Sequence, residues 1–176
     1  MKTKIMLSGL GLAVVLGGLL VGDWGSRARG AGDRGAAPIE VTKNPEVLVL
    51  PTLKAGEVSV YGLKLGDPTD KMPGDAGVSA MEVPERPQDM IYVGRNVRYY
   101  ANDKRIYRIT VTGDLIKRLP TYDAARLQMA MGKADESVEI PADEDTRLSY
   151  FGRHVRYTVH AFRTLSLVIE VDLYAP

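Results

Sequence analysis

The amino-acid sequence predicts an α+β protein: an N-terminal membrane helix, then two tandem helix-plus-antiparallel-sheet repeats that form one compact domain. Three observations lead to this prediction. The chain opens with a long apolar run, later segments alternate apolar and polar residues as half-buried strands do, and one phrase occurs twice. "YVGRNVRYY" at Tyr92–Tyr100 returns as "YFGRHVRYT" at Tyr150–Thr158, 58 residues later.

The N-terminal residues predict a membrane segment. Lys2 and Lys4 precede an unbroken apolar run of 18 residues, Ile5–Gly22, and a helix of this length is about 27 Å long, close to the thickness of the bilayer's hydrocarbon core. Residues 1–22 are therefore predicted to be a transmembrane anchor, with a cleaved signal segment as the alternative. The anchor predicts a single-pass protein of the inner membrane or a derived compartment, with its C-terminal domain periplasmic or lumenal. The alternative predicts secretion to the periplasm.

The residues after the apolar run divide into a tether and the start of the first repeat. Residues 23–45 are rich in Gly, Ala and Arg and are predicted to be a flexible tether. The first α+β repeat covers residues 46–111. Its first two strands are predicted at "EVLVL", 46–50, and "EVSVYGLKL", 57–65.

The first copy of the repeated phrase is predicted to form a hairpin. Gly94 followed by Arg95 matches a type II′ turn, which has glycine at its first central position. Residues 104–111 supply a further strand. A short helix beginning at Asp67 and Pro68 is predicted to precede this sheet.

The second α+β repeat, residues 112–176, is predicted to begin with a helix. Thr121 suits its N-cap, Asp123 its first turn and Gly132 its end. Its buried face is predicted to contain residues at helical spacing: Tyr122, Ala125, Leu127, Met129 and Met131.

The two copies of the phrase predict a duplicated unit with two distinct faces. Residues Tyr92–Val111 align with Tyr150–Ile169 without a gap and match at seven of twenty positions, so duplication is the better interpretation. Since side chains alternate across a strand, valine and tyrosine are predicted to face the core at four positions: Val97, Tyr99, Val155 and Tyr157. Arg98 and Arg156 then lie on the opposite face.

Two segments resemble known envelope proteins. "YGLKLGDPTDKM" (61–72) and "TYDAARLQMAMGKAD" (121–135), each followed by a hairpin and a final strand, are similar to the tandem helix-then-sheet modules of BamE/SmpA-like and β-lactamase-inhibitor-protein-like proteins. This resemblance implies a binding or scaffolding role in the envelope, not catalysis. The layout of short anchor, tether and small domain is also similar to that of small single-pass magnetosome accessory proteins.

The sequence contains little that indicates catalytic chemistry. It has no cysteine and a net charge of +1, which removes thiolate and zinc–cysteine chemistry and gives no global attraction for nucleic acid. On one strand, His154 and His160 would lie about 20 Å apart, too far to share a metal ion. No nucleophile elbow, P-loop or Rossmann fingerprint occurs. We therefore predict no enzyme activity, no cofactor and no defined metal site.

Two groups of residues remain as candidate sites. Arg95, Arg98, Arg153 and Arg156 are a candidate partner-binding face, because arginine beside tyrosine is typical of interface hot spots. Stacking of RNA bases is not expected, since the alternation places Arg98 and Tyr99 on opposite faces. A candidate weak cation-contact loop contains Asp143, Glu144 and Asp145.

The sequence thus predicts a membrane-tethered, non-catalytic accessory or scaffolding protein that acts through protein–protein contacts in the bacterial envelope. Its expected partners are other envelope or compartment proteins, and the membrane through the N-terminal helix, with no nucleic acid. The sequence names no small-molecule ligand. The alternative is an accessory protein of a magnetosome-like compartment that influences mineral or metal handling through the acidic loop.

Overall fold

An eight-stranded antiparallel sheet organises the computed structural model, which describes residues 37–72, 77–84, 86–119, 124–162 and 165–176. A short parallel pair precedes it, β1 (Ile39–Glu40) with β2 (Val58–Ser59). The strands of the large sheet are β3 (Ser79–Val83), β4 (Arg86–Val93), β5 (Val97–Asn102), β6 (Arg105–Val111), β7 (Glu136–Ile140), β8 (Asp145–Tyr150), β9 (Val155–Phe162) and β10 (Leu165–Tyr174).

The large sheet consists of two four-stranded meanders joined at their last strands. Its order is β3-β4-β5-β6-β10-β9-β8-β7, so the first meander (β3–β6) and the second meander (β7–β10) meet where β6 pairs with β10. Val111 lies opposite Val171, and Ile109 opposite Leu173, at this junction. The repeated phrase is thus used once in each meander.

The alternation of residues gives the sheet one apolar and one polar face. Val97 and Tyr99 of β5, and Val155 and Tyr157 of β9, are almost completely buried, whereas Arg98 between the first pair is exposed. The buried residues pack against the N-terminal segment, residues 37–72, and against two short helices, α1 (Gly113–Lys117) and α2 (Ala124–Met131). The core therefore lies on one side of the sheet.

The N-terminal segment covers the core with turns instead of the predicted strands. The first four residues of "EVLVL", 46–49, lie in the 3-10 helix Pro45–Val49, in which three consecutive side chains, Val47–Val49, are buried. An alternating strand cannot bury neighbouring residues on one face. Two further 3-10 helices are Ala55–Glu57 and Thr69–Lys71.

The strand predicted at 57–65 is also interrupted. After β2 the chain turns at Tyr61 and Gly62, whose φ angles are 51° and 77°. The Glu40 carboxylate accepts both of their backbone N–H groups at 2.9 Å, which stabilises this turn.

The α+β prediction is wrong, because the described chain is mostly β and is not built from helix-plus-sheet repeats. Ahead of the first meander, the predicted helix at Asp67 and Pro68 is only the 3-10 turn Thr69–Lys71. Helix α2 does precede the second meander, ends before Gly132 and buries Leu127 and Met131. Two further residues predicted for its buried face, Ala125 and Met129, are exposed, Met129 at 85%. Tyr122 of that face and the predicted cap, Thr121 and Asp123, lie outside the described residues.

The predicted membrane topology also needs correction. In the part of the chain that the structure describes, no helix is long and apolar enough to cross a membrane. Helix α2, with eight residues, measures about 12 Å, against about 30 Å of hydrocarbon core. The predicted anchor, 1–22, and residues 23–36 of the tether lie outside the described residues. The prediction of a single-pass protein of the inner membrane or a derived compartment is therefore withdrawn.

The two hairpins of the repeated phrase have different turns. In the first, Gly94 N–H donates to the Val97 carbonyl at 2.8 Å, so Arg95 and Asn96 are the central residues, and neither has a positive φ. The turn is therefore not type II′, which requires a positive φ at its first central residue. In the second, a 3-10 turn is followed by His154 in the left-handed region.

The longer second turn shifts the register of its hairpin. Tyr92 pairs with Tyr99, whereas the equivalent Tyr150 pairs with Val155, two residues before Tyr157. Because side chains alternate with a period of two, this even shift leaves every side chain on its original face. The two meanders therefore keep equivalent faces.

Candidate partner-binding face

The polar face is the side of the sheet that points away from the core. One cross-strand row passes through its centre, strand by strand: Arg98, Thr110, Asp172, Arg156 and Ser149. Arg98 and Arg156 occupy the same position of the repeated phrase and lie on either side of the Thr110–Asp172 junction. Three strand spacings separate them, about 14 Å. The structure thus brings these two predicted residues onto one face and into one row.

A buried ion pair fixes the centre of this face. Asp172, whose side chain is 4% exposed, accepts hydrogen bonds from Arg108 Nε at 2.9 Å and Nη2 at 2.8 Å, and from Thr110 Oγ1 at 2.6 Å. The Arg108 guanidinium also lies 4.6 Å from the centre of the Tyr100 ring. Burial alone would lower the pKa of Arg108, but the Asp172 carboxylate outweighs it and raises the pKa. The pair joins β6 to β10 and so joins the two meanders.

Of the two carboxylates at the centre, Glu170 has longer contacts with its partners than Asp172 has. Its side chain is 24% exposed, and its nearest cationic atoms are Arg98 Nη1 at 3.8 Å and Arg108 Nη2 at 4.0 Å, beyond hydrogen-bond distance. Burial, followed by the neighbouring Asp172 charge, raises the pKa of Glu170, and the nearby arginines do not offset this. This carboxylate is therefore open to a donor from outside the chain.

The two predicted arginines of the row are only loosely held. The Arg98 side chain is 46% exposed, and its ion pair is the 3.8 Å contact with Glu170. Arg156 donates from Nε to Ser149 Oγ at 3.4 Å and lies 5.9 Å from the centre of the Tyr174 ring. Both guanidinium groups can turn toward a binding partner at little cost.

The other two predicted arginines lie in the hairpin turns, not in the row. Arg95 forms an exposed ion pair with Asp114 at 3.4 Å. Arg153 lies 5.3 Å from the centre of the ring of Tyr150, a residue of the core, and its Nη1 atom is buried without a hydrogen-bond partner. The structure therefore separates Arg95 and Arg153 from Arg98 and Arg156.

Aromatic residues share the polar face, contrary to the argument from alternation. Tyr100 and Tyr174 lie beside Arg108 and Arg156, and Tyr107 lies 6.4 Å from Tyr100. Tyr99 lies on the opposite face from Arg98, but Tyr100, two residues after Arg98 in β5, lies on the same face. Arg108 was missed, although it has the same parity in its strand as Thr110.

Acidic side chains are interleaved with the arginines. Glu170 and Asp172 lie at the centre, and Asp145 lies at the margin, where its carboxylate is 2.8 Å from His160 Nδ1. Arginine and tyrosine are enriched at protein interfaces, and the carboxylates give this face charges of both signs. The absence of nucleic-acid binding stays a prediction.

The acidic loop does not form a cluster. Asp143 and Glu144 lie in the exposed turn between β7 and β8, whereas the Asp145 carboxylate is engaged by His160. The described residues contain no group of three or more histidines and carboxylates placed to hold a metal ion. Weak cation contact at this loop stays a prediction.

Comparisons with known proteins give limited similarity. No protein-family model matches the chain, and no curated protein matches it in sequence. The fold is similar to a cysteine-rich secretory protein from Staphylococcus aureus subsp. aureus Mu50, with TM-score 0.45 and 11% identity, covering 78% of this chain and 50% of that one. A DUF4309 family protein from Bacillus subtilis subsp. subtilis str. 168 gives TM-score 0.33 and 14% identity, covering 64% and 73%.

The chain thus spans about half the length of the staphylococcal protein. Neither similarity bears on the predicted resemblance to BamE/SmpA-like, β-lactamase-inhibitor-protein-like or magnetosome proteins, which stays a prediction.

Proposed function

We propose that the chain is a non-catalytic scaffolding protein that binds a partner protein through its polar face. The observation that carries the proposal is the central row, in which Arg98 and Arg156 flank the junction of the two meanders and are only loosely held. Tyr174 stands beside Arg156, and Tyr100 stands beside Arg108 on the same face. Asp172 is saturated by Arg108 and Thr110, which favours a structural role for this carboxylate over a catalytic one.

The dimensions of the face suit a protein partner. Seven spacings between eight strands give a width of about 34 Å, and a strand of six residues is about 20 Å long. The resulting area, about 700 Å², is close to the roughly 800 Å² that each partner contributes to a standard interface.

The charge pattern defines the partner's chemistry. Arg98 and Arg156 fit two acidic groups about 14 Å apart, and the unsatisfied carboxylate of Glu170 between them fits a hydrogen-bond donor. A partner surface with a polar donor flanked by carboxylates is therefore the best complement.

A crosslinked pull-down with the tagged full chain tests the proposal. The face variant combines Arg98→Glu with Arg156→Glu. The control variant combines Lys43→Glu with Lys133→Glu, two exposed residues outside the row with the same change of charge. Wild type and control should recover the same partner, and the face variant should recover about ten-fold less or lower, since reversing interface charges costs several kcal/mol. Failure to recover a reproducible partner, or equal recovery by the face variant, would overturn the proposal.

A further inference from the structure

A cavity of about 280 Å³ lies on the core side of the first meander, away from the polar face. Its walls are apolar and include Leu63, Met72, Val78 and Val97, and it borders the ring of Tyr99. Tyr61 and Arg95, which have polar side chains, are also among its lining residues. Concave apolar sites with a few polar groups are typical of small-ligand binding.

The second meander shows that the fold does not require this space. There, the Tyr157 hydroxyl lies 3.8 Å from Met131 Sδ of helix α2, and the Tyr150 hydroxyl donates to the Gly132 carbonyl at 3.0 Å. The end of α2 thus packs against the second hairpin. In the first hairpin the equivalent residue is Tyr99, and it borders the cavity.

The polar groups of the cavity can both donate hydrogen bonds. The Tyr61 hydroxyl accepts from Asn96 Nδ2 at 3.4 Å, so its own hydrogen can be donated. The Arg95 side chain is 86% exposed, and its ion pair with the half-exposed Asp114 is 3.4 Å long. Exposed pairs of this kind contribute little stability and exchange readily. A ligand head that only accepts hydrogen bonds and carries negative charge therefore fits, which is the chemistry of a carboxylate.

We propose that this cavity binds a small monocarboxylate with an apolar body. An engineered apolar cavity of about 150 Å³ is large enough for benzene, so this larger cavity admits a short alkyl chain or a substituted ring. The carboxylate lies at Arg95 and Tyr61, and the apolar body contacts Leu63, Met72 and Val78. This site does not depend on the proposed partner-binding face.

Calorimetric titration of the full chain with octanoate, and with octanol as the neutral probe, tests the site. Octanoate should bind with a Kd of about 1 mM or lower. Val78→Trp places a large ring at the half-buried wall and should abolish binding. Val138→Trp, the same change at an exposed position of β7, should leave binding unchanged. Arg95→Gln should weaken octanoate about five-fold, the size of an exposed charge contact, and leave octanol unchanged.

A second wall variant, Met72→Trp, covers the case in which Val78→Trp melts at a lower temperature than wild type. No saturable heat with octanoate, or binding that persists in both wall variants, would overturn the cavity as the site. Equal weakening of octanoate and octanol by Arg95→Gln would overturn the carboxylate as the recognised head group.

Discussion

The two copies of the repeated phrase make equivalent contacts on the core side of the sheet and different contacts on the polar face. Tyr99 donates to the Val60 carbonyl at 2.8 Å, and Tyr157 donates to the Leu48 carbonyl at 2.6 Å. Both acceptors belong to the N-terminal segment, and burial raises the pKa of both phenols, so each remains a neutral donor. The shared tyrosine is therefore what attaches the N-terminal segment to each meander.

The arginine that precedes each tyrosine shows the opposite behaviour. Arg98 contacts Glu170, whereas Arg156 contacts Ser149 and the ring of Tyr174. Identical residues at equivalent positions thus have different and weak partners. The valine and tyrosine of the phrase thus maintain the fold, whereas its arginines are only loosely held.

The largest expected effect comes from breaking the junction between the meanders. Asp172→Ala leaves Arg108 without its bidentate partner and Thr110 without its acceptor. Removing one member of a buried pair should lower the free energy of unfolding by about 3 kcal/mol, measured by urea denaturation. Glu170→Ala, two residues away in β10, is the control and should lower the free energy of unfolding much less. Equal losses would show that Asp172 has no special role at the junction.

The next effect tests the attachment of the N-terminal segment to each meander. Tyr157→Phe leaves the buried Leu48 carbonyl without its donor. The free energy of unfolding should fall by about 2 kcal/mol. Tyr99→Phe should cost only about 1 kcal/mol, because the Val60 carbonyl keeps its hydrogen bond from the Leu63 N–H at 3.1 Å. Thermal and urea unfolding of both variants measures the difference. A larger loss for Tyr99→Phe would contradict the assigned environments.

Local features of the fold could be read from the sequence. The alternation around Val97, Tyr99 and Tyr157 predicts their burial, because the period of a strand is a local property. The same alternation places Tyr100 on the face of Arg98, because residues two apart in a strand point to the same side. The buried residues Leu127 and Met131 follow from helical spacing in the same way.

Non-local features could not be read from it. Pairing of β6 with β10 joins residues about sixty positions apart, such as Thr110 and Asp172, and no local pattern reports which strand edges meet. The role of Arg108 in the site follows from that pairing. "EVLVL" has the composition of a strand, yet Pro45 and the burial of three neighbouring side chains produce a 3-10 helix, because packing overrides local propensity.

A smaller effect concerns pH and the centre of the polar face. Because the folded-state pKa of Glu170 is raised above its ordinary value of 4.5, the folded chain holds this proton more tightly than the unfolded chain does. Its ionisation therefore lowers stability as the pH rises through the folded-state pKa. Glu170→Gln should gain stability relative to wild type as the pH rises above 4.5, measured by urea denaturation at several pH values. A difference that shrinks with rising pH would contradict the assigned burial.

Glu40 provides the matched control with the opposite sign. Burial acts to raise its pKa, but hydrogen bonds from Thr42, Gly62 and Ser59 lower it overall. The stability that Glu40 contributes is therefore present above its ordinary pKa and lost as the pH falls through the folded-state value. Glu40→Gln should be less stable than wild type at neutral pH and should approach it in acid.

The smallest expected effect concerns the two arginines of the row. Arg98→Ala and Arg156→Ala should each change the free energy of unfolding by about 0.5 kcal/mol or less, because their contacts are long and partly exposed. Urea denaturation compares both with Asp172→Ala, which lies between them in the same row. A loss as large as that of Asp172→Ala would make the arginines part of the fold. Small losses together with weakened partner recovery would separate binding from stability at neighbouring positions of one row.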